Sequence, residues 1–188
     1  TKNIKNHFKA INNKKRVFLV YADIRDPIST RHAIKTARPD FVFHLAAQSF
    51  PQTSFNSPLD TYQTNIQGTT NVLDALKEFS KNAMIHVCSS SEVFGRVSKN
   101  EIPIKEETKF HPASPYAISK IGTDLIGRFY AEAYGMNVMT TRMFTHTGPR
   151  RGDVFAEASF AKQIALAENN FIEKEISVGN LNSLRTIA

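Results

Sequence analysis

Met84-Ile85-His86-Val87-Cys88 runs straight into Ser89-Ser90-Ser91-Glu92, and further along comes Ser114-Pro115-Tyr116-Ala117-Ile118-Ser119-Lys120. The first stretch reads as a short buried strand ending in a cluster of hydroxyls and a carboxylate. The second reads as a helix start: a serine hydroxyl can cap the first free N–H groups, and proline suits the first helical position. Tyr116 and Lys120 then stand at i and i+4, so their side chains share one helix face. A phenol ordinarily titrates near pH ~10, too high for a base near neutrality, and a fixed positive charge beside it favours the phenolate. Taken alone, a serine cluster is a turn and a tyrosine–lysine spacing is an accident. Together they outline an acid/base pair facing a hydroxyl that can orient an alcohol.

Outward from this pair the chain alternates apolar runs with helical patterns. Arg16 to Tyr21 reads as a strand, ending at Asp23-Ile24, and Asp26-Pro27 starts a helix that runs through Ala37. Phe41 to Leu45 is a second strand, leading into Ala46-Ala47-Gln48. Ser57-Pro58 opens a longer helix to about Phe79. The Ser114 helix carries Ile118, Ile121, Leu125 and Phe129 at helical spacing and stops at Gly135. Asn137 to Phe144 is a strand, Val154 to about Ala167 a helix, and Ile176 to Val178 a short strand. Residues 1–15 are polar and basic, with Phe8 and Ile11 hinting at a short amphipathic helix. The alternation predicts an α/β fold: a doubly wound, mostly parallel sheet covered on both faces, with ligands beyond the carboxyl ends of the strands. Those ends are Asp23-Ile24, Ala46-Ala47, Ser89-Ser90-Ser91 and Phe144-Thr145-His146.

The chain has 188 residues, 41% hydrophobic and 22% charged, enough for one domain with a sizeable core. No apolar run reaches the length of a membrane span, and the start carries no secretory signal pattern. Cys88 is the one cysteine, which excludes an intrachain disulfide and agrees with a reducing, cytoplasmic setting. The net charge of +7 suits an anionic ligand, though the Lys14-Lys15-Arg16 run contributes part of it. No motif points to nucleic acid, and no spacing of ligating residues points to a metal.

The first glycine is Gly68. A dinucleotide-binding unit needs glycines in its first strand-to-helix turn, so that backbone N–H groups reach the pyrophosphate. The expectation is therefore a fragment truncated at the N-terminus.

Ser90–Gly95 and Ser114–Lys120 resemble the extended short-chain dehydrogenase/reductases (the NAD-dependent epimerase/dehydratase family), closest to the GDP-mannose 4,6-dehydratases. The resemblance runs from Arg16 onward. It implies a partial NAD(P)-binding Rossmann domain over residues 1–144 and the start of a substrate-binding lobe over 145–188. It implies truncation in the C-terminal lobe as well, and a fragment inactive by itself. It assigns Ser90, Glu92, Tyr116 and Lys120 as catalytic. Ser90 would hold the sugar 4-hydroxyl and Tyr116 would take its proton. Lys120 would lower the tyrosine pKa and bind the nicotinamide ribose. Glu92 would remove the proton next to the new ketone, so that water leaves. For the cofactor, NADP or NAD, the implied contacts are Asp23 and Ile24 at the adenine and Leu45, Ala46 and Ala47 under the ribose and pyrophosphate. Tyr116, Lys120, His146 and Arg151 complete that set. Gln48, Ser91 and Thr145 are implied at the substrate, and Asn65 sits on the helix behind the site. Most relatives have asparagine where Thr145 stands.

The implied reaction converts GDP-mannose to GDP-4-keto-6-deoxymannose in a cytoplasmic homodimer or homotetramer. His146-Thr147-Gly148-Pro149 and Phe160-Ala161-Lys162-Gln163 look instead like reductases of GDP-4-keto-6-deoxy sugars. A reductase or epimerase on the same scaffold is therefore the alternative. A non-catalytic nucleotide-binding domain is the alternative of another class.

Overall fold

A computed structural model of the chain describes residues 17–182 together with His7. Phe8, Ile11, the Lys14-Lys15-Arg16 run and Ser183 lie outside the described residues. The chain divides into two compact units, one spanning 18–143 and one taking in the residues from Phe144 on.

In the first unit the sequence punctuation works as expected. Helix α1, Pro27–Ala37, starts at Asp26, whose carboxylate accepts from the backbone N–H groups of Ile28 and Ser29. Strand β1, Phe41–His44, is followed by the short helices α2, Pro51–Asn56, and α3, Pro58–Tyr62. A π-helical turn, Gln63–Gln67, then leads into α4, Gly68–Phe79. Strand β2, Met84–Cys88, ends at a 3-10 turn, Ser91–Val93. Helix α5, Pro115–Tyr134, is capped by the Ser114 hydroxyl and stopped by Gly135 at φ 64°, and strand β3, Asn137–Thr141, follows. The three strands are parallel in the order β1-β2-β3, with Phe41 opposite Met84 and Met84 opposite Asn137. Parallel neighbours need crossovers, which α4 and α5 supply.

The core lies between one face of this sheet and the helices. Leu73 and Leu76 of α4 meet Ile85 and Val87 of β2, all fully buried, with Val42 and Val138 packed alongside. Each such side chain contributes about 1.5–3 kcal/mol by leaving water. The opposite face carries Phe41, Phe43, Met84 and Met139, all exposed. Among the described residues of this unit the helices lie against one face, and the strands alternate buried and exposed positions accordingly.

In four places the elements differ in detail from the sequence reading. Val17–Tyr21 forms no strand, and Phe18, Leu19, Val20 and Tyr21 are exposed. Apolar residues alone do not make a strand; a neighbour with free backbone groups is needed. The single helix expected from Ser57 to Phe79 keeps its course but contains the π turn, which inserts an extra residue and turns Asn65 inward. On α5, Ile118, Leu125 and Phe129 face outward, while the buried face holds Tyr116, Ala117, Ser119, Lys120, Thr123 and Asp124. The strand expected over Asn137–Phe144 ends formally at Thr141, yet its backbone pairing continues. Thr141 O accepts from Ser89 N and Met143 O from Ser91 N, at 2.9 and 3.0 Å.

In the second unit α6 spans Ala156–Glu168, and Lys162 pairs with Asp153. The strand expected over Ile176–Val178 is absent. The Gln163 amide accepts from Ser177 N at 2.7 Å and donates to Ser177 O at 3.2 Å, taking the bonds a neighbouring strand would have made.

Candidate active site

The serine cluster is carried past β2 by the two backbone bonds to Thr141 and Met143, so Ser89, Ser90 and Ser91 leave the sheet in a fixed order. Ser89 is buried, and its hydroxyl donates to Lys120 O at 3.0 Å. Ser90 opens the 3-10 turn and accepts from Glu92 N at 3.2 Å. That bond fixes both the hydroxyl and the start of the Glu92 side chain.

Facing this turn are the first two turns of α5. Tyr116 and Lys120 are 7% and 5% exposed, so the expected pair is buried as well as aligned. The Ser90 side chain stands close enough to the Tyr116 phenol to pull its pKa down. The Lys120 ammonium lies 5.9 Å from the Tyr116 ring centroid and donates to Cys88 O at 2.7 Å. The structure thus brings Ser90, Tyr116 and Lys120 together, with Glu92 near enough for its charge to act on the phenol.

The electrostatics differ from the sequence expectation in one respect. Burial pushes the Tyr116 phenol above its ordinary value; the Ser90 hydrogen bond pulls the other way, and Cys88 and Glu92 add to the rise. Lys120 is itself pushed down by burial. Its ammonium is spent on the Cys88 carbonyl rather than on the phenol, so burial outweighs its pull on Tyr116 in this arrangement.

Behind the pair lies a polar network. Asn65 is 1% exposed; its side chain accepts from Gln48 N at 2.8 Å and donates to Gln48 O at 3.0 Å and to Ser119 Oγ at 2.8 Å. Ser119 in turn donates to Tyr116 O at 2.7 Å. One amide thus ties the tip of β1 to the helix that carries Tyr116 and Lys120. Gln48 also reaches Thr61 through its own side chain at 3.1 Å. Leu45 and Ala46 are exposed and Ala47 half-buried along that tip. Two members were missed in the sequence, Ser119 and His44. The signal for His44 was a histidine inside an apolar strand, a position that needs a partner when buried. His44 Nε2 makes a hydrogen bond with Thr69 Oγ1 at 3.0 Å.

Burial, with the Lys120 charge behind it, lowers the His44 pKa from 6.5 to about 4. The unfolded chain takes up that proton at higher pH than the folded one, so stability falls as the pH drops through this window. The loss from this group reaches about 3 kcal/mol at the acid end. Urea unfolding between pH 7 and 4 should show the decline, and a His44→Gln variant should flatten it. An equal slope in both would remove His44 from the account.

The other residues expected at the cofactor and substrate have the following surroundings. Asp23 is bound to its neighbour Arg25, whose hydrogen bond holds the carboxylate at a pKa of about 2, and Arg25 also reaches Asp60 at 2.9 Å. Ile24 packs over Gly68, where a Cβ would lie 2.5 Å from its Cδ1, and its carbonyl accepts from Asn71 Nδ2 at 2.8 Å. Ser91 is half-buried next to Ser90. Thr145, His146 and Arg151 belong to the second unit. There His146 Nδ1 meets Phe144 O at 3.0 Å, and Arg151 pairs with Glu157 at 2.6 Å and stacks on Phe155.

A family model described as GDP-mannose 4,6 dehydratase matches residues 1–187. The chain belongs to the GDP-mannose 4,6-dehydratase family. Within it, the chain is 34% identical over 169 residues to a GDP-mannose 4,6-dehydratase of Vibrio cholerae, covering 89% of this chain and 45% of that protein. It is 36% identical over 147 residues to a GDP-6-deoxy-D-mannose reductase of Pseudomonas aeruginosa, covering 78% of this chain and 48% of that one. Among solved structures, RMD from Pseudomonas aeruginosa complexed with NADPH superposes with a TM-score of 0.85 at 31% identity, covering 98% of this chain and 65% of that one. DesIV, a dTDP-glucose 4,6-dehydratase from Streptomyces venezuelae with NAD bound, gives a TM-score of 0.75 at 26% identity, covering 86% and 48%. These likenesses agree with the parallel, Rossmann-like sheet. The chain spans about half the length of the curated relatives it matches.

Proposed function

We propose that the protein carrying this chain is a nucleotide-sugar 4,6-dehydratase that converts GDP-mannose to GDP-4-keto-6-deoxymannose with NADP or NAD. The observation that carries the reading is the juxtaposition of Ser90, Tyr116 and Glu92: a hydroxyl, a phenol and a carboxylate at one strand tip. Lys120 fits a dinucleotide. It is a buried ammonium with three donors, one of them on Cys88 O, and among the described residues it has no carboxylate partner. Two hydrogens remain for the hydroxyls of a ribose. NAD or NADP, when bound, supplies a hydride acceptor that returns the hydride within the turnover, along with a positive charge in its oxidised form.

The chain's own residues supply the rest. Ser90 holds the sugar 4-hydroxyl, and Tyr116 removes its proton as the alcohol becomes a ketone. The ketone acidifies the adjacent C5–H. Glu92 takes that proton and returns it to the C6 hydroxyl, which leaves as water. Tyr116 then gives the proton it took from the 4-hydroxyl to C5 as hydride is restored at C6, so both groups end as they began. Asn65, through Ser119 and Gln48, keeps helix α5 in register with the tip of β1. Asp23, Ile24 and the Leu45–Ala47 run are assigned to the cofactor. So are His146 and Arg151 of the second unit; Gln48, Ser91 and Thr145 are assigned to the substrate.

In this reading residues 1–144 belong to the dinucleotide-binding domain and 145–188 open the substrate lobe. The break between compact units at Met143 and Phe144 falls one residue from the boundary between the two and supports that boundary. The exposed stripe Ile118, Leu125 and Phe129 on α5 supports a homodimer or homotetramer. Among the described residues no helix is long and apolar enough to cross a membrane. A cytoplasmic setting is part of the proposal.

The test is to incubate the full-length protein with GDP-mannose and follow the keto sugar. Glu92→Gln should cut its release about a hundredfold while reduced cofactor accumulates, because oxidation no longer leads on to elimination. Keto sugar formed at the wild-type rate by that variant would remove Glu92 from the mechanism. A second reading, reduction of a GDP-4-keto-6-deoxy sugar, is favoured by the likeness to the Pseudomonas reductase. Consumption of reduced cofactor with a keto sugar, and no product from GDP-mannose, would select it.

A further inference from the structure

Tyr116, Lys120 and Asp124 follow one another at i, i+4 and i+8 along α5, so the face with the acid/base pair continues to a carboxylate that is 2% exposed. Arg142, just past β3, grips that carboxylate with two parallel bonds, Nε to Oδ2 at 2.8 Å and Nη2 to Oδ1 at 3.0 Å. Its remaining arm donates from Nη1 to Glu106 O at 2.7 Å. The guanidinium carbon also lies 5.8 Å from the Phe94 ring centroid and 4.8 Å from that of Phe110. The two rings belong to the two ends of the segment that joins the catalytic turn to the Ser114 cap. Phe94 is two residues beyond Glu92, and its backbone N–H donates to Ser91 O at 3.1 Å. Phe110 precedes His111, whose N–H donates to Val93 O at 3.0 Å.

We infer that Arg142 is a positioning residue: its guanidinium, forked on Asp124 and flanked by Phe94 and Phe110, sets the turn bearing Ser90 and Glu92 at its working distance from Tyr116. The inference rests on the dehydratase reading above and adds a residue that touches none of the reacting groups. Its geometry needs arginine. A lysine keeps the charge but cannot hold both carboxylate oxygens, the Glu106 carbonyl and two ring faces at once. Because the clamp sets the turn against α5 while Lys120 keeps its separate bond to Cys88 O, losing it should slow chemistry and leave dinucleotide binding near wild type.

The test uses the full-length protein and three substitutions: Arg142→Lys, Phe110→Ala and Phe110→Tyr. Expected is a fall in kcat of about ten- to a hundredfold for the first two, with KM and dinucleotide affinity near wild type. Phe110→Tyr, which keeps a ring face, should restore kcat. Trypsin should cut after Lys99, Lys105 and Lys109 faster in Arg142→Lys and Phe110→Ala than in wild type or Phe110→Tyr. If Arg142→Lys does not fold, Phe110→Ala reads the same clamp with the ion pair intact. A lowered melting temperature with unchanged kcat would mean that Arg142 only holds the fold together, and would overturn the inference. The two readings fail separately: wild-type protein that makes no keto sugar ends the dehydratase assignment, while equal trypsin rates in all variants end the clamp.

Discussion

Under the proposed dehydratase mechanism, Tyr116→Phe is expected to reduce keto-sugar formation about a thousandfold, because it deletes the group assigned to accept the 4-hydroxyl proton and leaves its surroundings in place. The ring is almost wholly buried, and phenylalanine fills the same space. Ser90 beside it accepts from Glu92 N and so keeps a bond after the change. Stability should therefore move by no more than about 1 kcal/mol. Dinucleotide binding should persist, since the Lys120 bond to Cys88 O does not involve the phenol. Burial holds the Tyr116 phenol above its ordinary value, so in the wild type the rate of the oxidation step should climb with pH as the phenolate forms. The variant should lose that climb. Single-turnover kinetics across a pH series, with circular dichroism to check folding, would read both effects. Near-wild-type turnover in a folded Tyr116→Phe protein would mean that the proton goes elsewhere.

Much of this site was legible because its chemistry is local. Ser114, Pro115, Tyr116 and Lys120 lie within seven consecutive positions, and a cap plus a four-residue spacing is enough to place a phenol and an ammonium on one helix face. The three sheet strands were legible as apolar runs. What the residues could not show was which run finds a neighbour. Val17–Tyr21 is as apolar as Phe41–His44, yet β1 pairs with β2 and the earlier run pairs with nothing described. The direction of the α5 stripe was hidden for a related reason. Its outward face carries isoleucine, leucine and phenylalanine, while its inward face carries a lysine, an aspartate and hydroxyls that the site satisfies. Composition therefore points the wrong way where the helix serves chemistry. Arg142 was invisible because its partners lie 18 and 36 residues away along the chain, at Asp124 and Glu106.

Gly95→Ala should be the most destabilising change in the segment between the catalytic turn and the Ser114 cap. Gly95 has φ 50°, and a Cβ there would lie 1.9 Å from His111 O and 2.8 Å from His111 C. The obstacle is backbone, so no rotamer relieves it. His111 O also accepts from Arg96 N at 3.1 Å, and His111 N donates to Val93 O at 3.0 Å. Making room for the methyl group means parting these two strands of chain. Left-handed strain costs about 1–2 kcal/mol and the two hydrogen bonds about 1 kcal/mol each, for a total of about 3–4 kcal/mol. Gly135→Ala is the control. Gly135 has nearly the same dihedral, φ 64°, but nothing lies within 4 Å of its Cβ position, so only the strain of about 1–2 kcal/mol remains. Urea unfolding of the two variants separates a clash from a dihedral preference. Equal losses would show that the segment yields easily at Gly95. It would then be too loose to hold Phe94 and Phe110 against Arg142, and the turn bearing Glu92 would need some other support.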